Sequence, residues 1–258
     1  MTWLGKTVGS AYCWINPFEM FVTTLPEARK FYLTLFNTTL LIGRTAAMVT
    51  DSTPQIQTTQ TWLATSDGRC QPLVEDDLSP PGQTYRLYRF LTELEDILAD
   101  TTDDVERIRA IAPRVRLLLD HSYWLQMEYT QPLDDPGWSV RFLYREHGFA
   151  LTVQMVAWLP GNISAIHNHG TWGIVAVIGG QEKNTFWVRS PAEETPDRIQ
   201  ATRKQILVPG DIIGFLPDAI HCIEPVGDEP AITFNLYGVT DYSTRFKFNP
   251  KTHTAEHF

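Results

Sequence analysis

The chain has 258 residues, 43% hydrophobic and 12% aromatic, enough for one sizeable core. A formal net charge of -9 and a pI near 5.2 argue against nucleic acid and anionic membrane surfaces as partners, because Lys and Arg receive both. Three scattered cysteines, Cys13, Cys70 and Cys222, form no CxxC pair and speak for a reducing compartment, and no apolar run reaches bilayer length, so the expected location is cytoplasmic.

Residues 1–83 are the least patterned. Threonine is frequent, periodicity is poor, and the segment closes on "VEDDLSPPGQT", whose Pro-Pro-Gly reads as a linker. The apolar stretch "FYLTLFNTTLLIG" lies behind Glu19, Glu27, Arg29 and Lys30, too far in for an ordinary signal peptide; the abundant threonine leaves an organelle transit peptide open, although arginine is not abundant. The segment reads as a loosely ordered extension, or as a gene start placed too far upstream, ahead of a domain spanning residues 84–258.

Residues 84–121 carry a helical pattern. Leu87, Phe90, Leu91, Leu94, Ile97 and Leu98 recur at i, i+3, i+4 spacing and form one apolar face. A second helix follows, with Thr101, Thr102 or Asp103 as its cap and Glu106 in its first turn; Pro113 is expected to kink or split it.

From Ser139 onward the pattern changes to short strands rich in β-branched and aromatic residues, among them "SVRFLYRE", "FALTVQMVAWL", "SAIHNH", "GIVAVIGG", "KNTFWVR", "IIGFLP", "HCIEPV" and "AITFNLYG". Gly, Pro, Asn and Asp separate them. Many short strands at close spacing imply a sandwich or barrel, here with two N-terminal helices packed on it.

Within this region "HNH" puts His167 and His169 at i and i+2 spacing, which on a strand aims both imidazoles to one face and Asn168 to the other. A third histidine, His221, follows "VPGDIIGFLPDAI" at the start of another strand. Imidazole is the commonest metal-binding side chain near neutral pH, so the three are candidate ligands of one ion.

Taken together, these motifs resemble those of the cupins. Gly161, His167, His169 and Gly180 match the first cupin motif, and Gly210, Pro217 and His221 the second, although the spacing from Pro217 to His221 is one residue short. The implied fold is all-β with N-terminal helices, a double-stranded β-helix or jelly-roll barrel. Where most cupins carry a glutamate ligand stand Gly173 and Ile174, so the implied ligand set is three neutral imidazoles rather than two with a carboxylate.

Within that superfamily the pattern, from about Tyr85 to Thr240, resembles the cysteine dioxygenase-like thiol dioxygenases. Membership would imply Fe(II), O2 and a small carboxylate-bearing thiol of the cysteine or 3-mercaptopropionate class, oxidised to its sulfinate. By the same resemblance Arg141 would bind the substrate carboxylate, and Trp158 falls on a family aromatic. Thr233, Asn235 and Tyr237 take the places of a Ser-x-His-x-Tyr array, with Tyr237 catalytic and Thr233 and Asn235 contacting substrate. Gly173 also stands near the place of the cysteine that cross-links to the tyrosine in mammalian-type enzymes, and Trp172-Gly173 looks closer to the bacterial type. Two rivals stand beside this reading: a three-histidine cupin dioxygenase acting on a non-thiol chelating substrate, and a non-catalytic metal-binding sensor. No sequence feature assigns an oligomeric state.

Overall fold

The structure, a computed structural model, describes residues 59–78, 84–147 and 150–258. Helix α1 spans Leu87–Asp100 and buries Phe90 and Leu94. Helix α2 spans Asp104–His121. Asp103 is its cap: the carboxylate accepts the backbone N–H of Glu106 at 2.9 Å. The expected break at Pro113 does not occur, and α2 runs through it. Proline leaves the carbonyl of Arg109 without its intrahelical donor, and the backbone N–H of Asp76 takes that place at 3.3 Å.

The described residues form thirteen strands, of which β3 to β12 follow the expected rhythm: β1 Thr61–Ala64, β2 Cys70–Pro72, β3 Trp138–Arg145, β4 Thr152–Trp158, β5 Ile166–His167, β6 Gly173–Gly179, β7 Glu182–Arg189, β8 Ile199–Leu207, β9 Ile212–Phe215, β10 Ile220–Pro225, β11 Ala231–Tyr237, β12 Phe246–Asn249 and β13 Thr254–His257. They form two sheets, ordered β2-β1-β9-β6-β11-β4-β3 and β13-β12-β5-β10-β7-β8. Between β4 and β11 the chain crosses repeatedly from one sheet to the other, and only the β7–β8 hairpin stays within its sheet. This is the cupin-like arrangement the motifs implied. Neither sheet closes on itself among the described residues, so the barrel is corrected to two facing open sheets.

The part of residues 1–83 that is described is built into this fold. β1 pairs parallel with β9, from Thr61↔Ile212 to Ala64↔Phe215, and β2 pairs with β1. The Arg116 guanidinium of α2 donates to the hydroxyl of Thr59 at 3.1 Å, the carbonyl of Gly210 at 2.7 Å, the hydroxyl of Thr61 at 2.9 Å and the carboxylate of Glu75 at 2.9 Å. The expected boundary at residue 84 thus falls inside the folded unit for residues 59–78. Residues 1–58 lie outside the described residues.

Strand alternation divides the first sheet's side chains. Val153 and Met155 of β4, Phe234 and Leu236 of β11, and Ile174 and Ala176 of β6 pack with Phe90, Leu94, Ile108 and Ile111 of the helices. α2 sits so close that a Cβ at Gly214 would lie 2.3 Å from Ile108 Cγ2. The alternate residues, Gln154, Val156, Val175, Thr233, Asn235 and Tyr237, turn toward the second sheet and line an internal cavity.

Candidate metal centre

The three histidines meet in that cavity. His167 on β5 is directly opposite His221 on β10 in the antiparallel ladder. His169 lies just past the end of β5, held by Asn168, whose side chain faces away. Asn168 is 3% exposed, donates to the carbonyls of Pro217 at 3.2 Å and Thr244 at 2.8 Å, and accepts the N–H of Phe246 at 2.7 Å. The ring centroids of the trio are 4.8 to 5.0 Å apart. One nitrogen from each ring lies within 4.8 Å of the others.

These side chains fit a metal ion. The Nε2 atoms of His169 and His221 are 3.1 Å apart. Two imidazole nitrogens bound to one ion at about 2.0–2.1 Å and at right to tetrahedral angles sit roughly 2.9–3.4 Å apart. Burial also keeps the rings neutral and their lone pairs available. It pushes His167 down to about 4, and holds His169 and His221 well below the usual imidazole value, each further lowered by neighbouring histidine charge. His167 Nδ1–H donates to the Ala165 carbonyl at 2.8 Å, and His221 Nδ1–H donates to Asn184 Oδ1 at 2.8 Å, so in both rings Nε2 faces the centre without a proton. Among the described residues this is the group of His, Cys, Asp and Glu that could hold an ion, and no carboxylate belongs to it.

The cavity beside the trio measures about 510 Å³, within the roughly 300–1,000 Å³ range of small-molecule sites. Tyr237, Asn235 and Thr233 line it as a hydrogen-bonded row: Tyr237 O–H donates to Asn235 Oδ1 at 3.0 Å, and Asn235 Nδ2 donates to the Thr233 hydroxyl at 2.8 Å. The Tyr237 ring stands edge-on to His169, centroids 4.9 Å apart. Burial raises its phenol, with the Glu182 carboxylate adding to the effect, so it stays protonated near neutrality. A Cβ at Gly173 would fall 2.7 Å from the Tyr237 ring and 3.4 Å from His169 Nδ1. Glycine at position 173 therefore makes room for this contact.

Arg141 does not join the site. On β3 the alternate residues Val140 and Phe142 line the cavity; Arg141 points to the opposite side, where its guanidinium pairs with Glu128. The cations at the cavity are Arg145 and Arg245. The Arg245 guanidinium carbon lies 4.3 Å over the ring of Phe258, which is itself 5.6 Å from the His167 ring, and its Nε is buried without a hydrogen-bond partner.

Sequence reasoning also missed Glu182 and Asn184, 3% and 0% exposed. Their signal was present: on β7 Glu182, Asn184 and Phe186 alternate inward, so two polar side chains occupy core-facing positions. Arg245 carried no comparable signal, because it precedes β12 in an irregular segment.

No family model matches the chain. Solved structures with some likeness include an oxalate oxidase in complex with the substrate analogue glycolate (12% identity, 45% of this chain, 57% of that chain, TM-score 0.34). Others are the DMSP lyase DddQ from Ruegeria pomeroyi DSS-3 (16%, 44%, 53%, 0.33) and a cupin superfamily protein from Desulfitobacterium hafniense DCB-2 (14%, 45%, 88%, 0.34). The matched part spans little more than half of the first two proteins, and no activity carries over at such identity. No helix among the described residues is long and apolar enough to cross a membrane.

Proposed function

We propose that this chain is a mononuclear metal-dependent dioxygenase whose substrate is a small anion able to chelate the ion. The observation that carries this reading is the convergence of three neutral imidazoles, His169 and His221 buried and His167 half-buried, on a cavity that also contains Arg245. His167, His169 and His221 would hold an ion such as Fe(II), which when bound would supply dipositive charge and redox chemistry with O2. With no carboxylate among its ligands, such a centre favours an anionic donor from the substrate.

The remaining work falls to side chains. Arg245 receives the substrate's anionic group, for which a guanidinium is well shaped. Arg141 has no part in this, since it lies outside the cavity. Tyr237 keeps its proton within the row to Asn235 and Thr233 and offers the phenol oxygen to a neighbouring ligand. Val140, Val156 and Trp158 give the cavity an apolar wall.

A carboxylate-bearing thiol of the cysteine or 3-mercaptopropionate class is the second reading, supported by the Tyr237 row beside His169. Both are tested together: metal content of protein purified without a histidine tag, then O2 uptake with cysteine, 3-mercaptopropionate, cysteamine, mercaptosuccinate, a 2-oxo acid and a β-diketone. Uptake confined to the thiols selects the second reading. Bound metal with no uptake from any of them overturns the enzyme and leaves a metal-dependent sensor.

A further inference from the structure

His221 is 4% exposed, and its Nδ1 faces an asparagine rather than a backbone carbonyl. An amide side chain has a donor and an acceptor end, and rotation by half a turn exchanges them. If Asn184 presented Nδ2 to His221, the ring would have to carry its proton on Nε2, where it would block a metal. Some other contact must therefore fix the amide. That contact is Glu182: Asn184 Nδ2 donates to its Oε1 at 2.9 Å, both side chains are buried, and no Lys or Arg among the described residues is paired with the carboxylate. A carboxylate is an acceptor-only group. Its demand for the N–H end turns Oδ1 toward His221, which in turn demands a proton on Nδ1.

We infer that Glu182 is a positioning residue which, through Asn184, holds His221 in the tautomer that leaves Nε2 free for the metal. The inference rests on the metal reading above for its purpose, and its first readout is independent of that reading. The alternation that places Glu182 and Asn184 side by side on the inner face of β7, across from β10, makes the chain of contacts a property of the strand pairing. Burial favours the neutral carboxyl and moves Glu182 up to about 7; the amide N–H from Asn184 opposes this by stabilising the carboxylate.

The test uses the full chain, metal-free, with imidazole nitrogens followed by 15N NMR. Wild type is expected to show His221 protonated on Nδ1. Glu182→Leu releases the amide, so His221 gains an Nε2–H population, and Co(II) affinity measured by chelator competition falls about 10–100-fold, the range found for partners of metal-bound histidines. Glu182→Gln offers Asn184 either an acceptor or a donor, so it holds the amide less firmly and is expected to fall between wild type and Glu182→Leu. The double variant Glu182→Leu, Asn184→Asp places an acceptor-only group directly on His221 and is expected to restore the Nδ1–H tautomer and most of the affinity. Rescue of this kind is not available to a residue that merely fills space. An Nε2–H ring in wild type, an unchanged tautomer in Glu182→Leu, or no rescue in the double variant overturns the inference. Failure of wild type to bind any metal overturns the proposed function instead, and leaves the tautomer result standing.

Discussion

The Nε2 atoms of His169 and His221 lie 3.1 Å apart, while His169 Nδ1 is buried and has no hydrogen-bond partner. With His221 protonated on Nδ1, the close pair can be a hydrogen bond only if His169 carries its proton on Nε2. A bare Nδ1 then needs no partner, which agrees with its isolation. A metal ion reverses this, because His169 must surrender the Nε2 site and place its proton on Nδ1. We expect His169 to be the Nε2–H tautomer in metal-free protein and Nδ1–H after metal uptake. Long-range 15N–1H spectra with and without Zn(II) check this, and an unchanged tautomer excludes His169 as a ligand.

Metal binding should also stabilise the fold. At a free concentration about 1,000 times the dissociation constant, a ligand that binds only the native state adds about 4 kcal/mol. Calorimetry should show a clear rise in midpoint for wild type and none for His221→Ala. The metal-free midpoints calibrate the cost of the substitution itself.

Gly173 separates packing from ligation. Alanine there would put a methyl 2.7 Å from the Tyr237 ring, so the ring must move from the face of His169. We expect Gly173→Ala to cost about 1–3 kcal/mol by overpacking and to lower turnover more than metal content. If turnover and metal content fall in the same proportion, Tyr237 does not act on the reacting ligand.

The meeting of the three histidines was legible in the sequence because a strand's two-residue period and the turns around "HNH" and "HCIEP" fix where imidazoles point. The helices were legible from their apolar face and from Asp103. What escaped depended on contacts made far along the chain. The Asp76 N–H that lets α2 continue through Pro113 comes from a segment with no pattern of its own. β1 is short and is recruited by β9, with Arg116 fastening the segment to α2. Arg141 was assigned by resemblance, yet on this β3 it is Val140 and Phe142 that face inward. The parity of a strand beside its partner decides the face, and "WSVRFLYR" mixes polar and apolar residues too evenly to reveal it.

Arg245 and Arg141 therefore make opposite predictions. Removing a charge-assisted hydrogen bond to a substrate carboxylate costs about 1.5–3 kcal/mol, roughly 10–150-fold. Arg245→Ala should raise KM for a carboxylate substrate by that factor and leave KM for an uncharged analogue nearly unchanged. Arg141→Ala, which loses a surface pair with Glu128, should change neither. A KM effect confined to Arg141→Ala would move the anion site out of the cavity.

Arg116 tests how far residues 59–78 belong to the folded unit. Its four hydrogen bonds reach Thr59, Thr61, Glu75 and Gly210. Arg116→Ala leaves Glu75 partly buried and without its cation, for an expected loss of about 1–3 kcal/mol. Denaturant unfolding followed by fluorescence of the tryptophans, with Trp62→Phe as reference, should show β1 released early in the variant. Loss below about 0.5 kcal/mol would make the segment a passive addition to the sheet.

The buried histidines set the acid limit of the metal-free protein. His167 is pushed down to about 4, and His169 and His221 lie well below the ordinary 6.5, in each case first through burial. The unfolded chain therefore binds protons that the folded chain refuses as pH falls below 6.5. Their contribution is present above that value and is lost progressively as pH falls below it, for His167 down through about 4. Glu182 acts in the other direction. Burial raises it from 4.5 to about 7, so its contribution is present below 4.5 and is lost as pH rises through 7. Three groups oppose one, so the histidines prevail and stability falls as pH drops below 6.5. Chemical denaturation of metal-free wild type at intervals from pH 8 to 5 should show a plateau near neutrality and then a fall. His221→Leu should flatten the fall by about one proton's worth. A stability that holds level from pH 7 to 5 would mean the trio is hydrated and already charged in the folded protein, and a site of that kind would not keep three lone pairs for an ion.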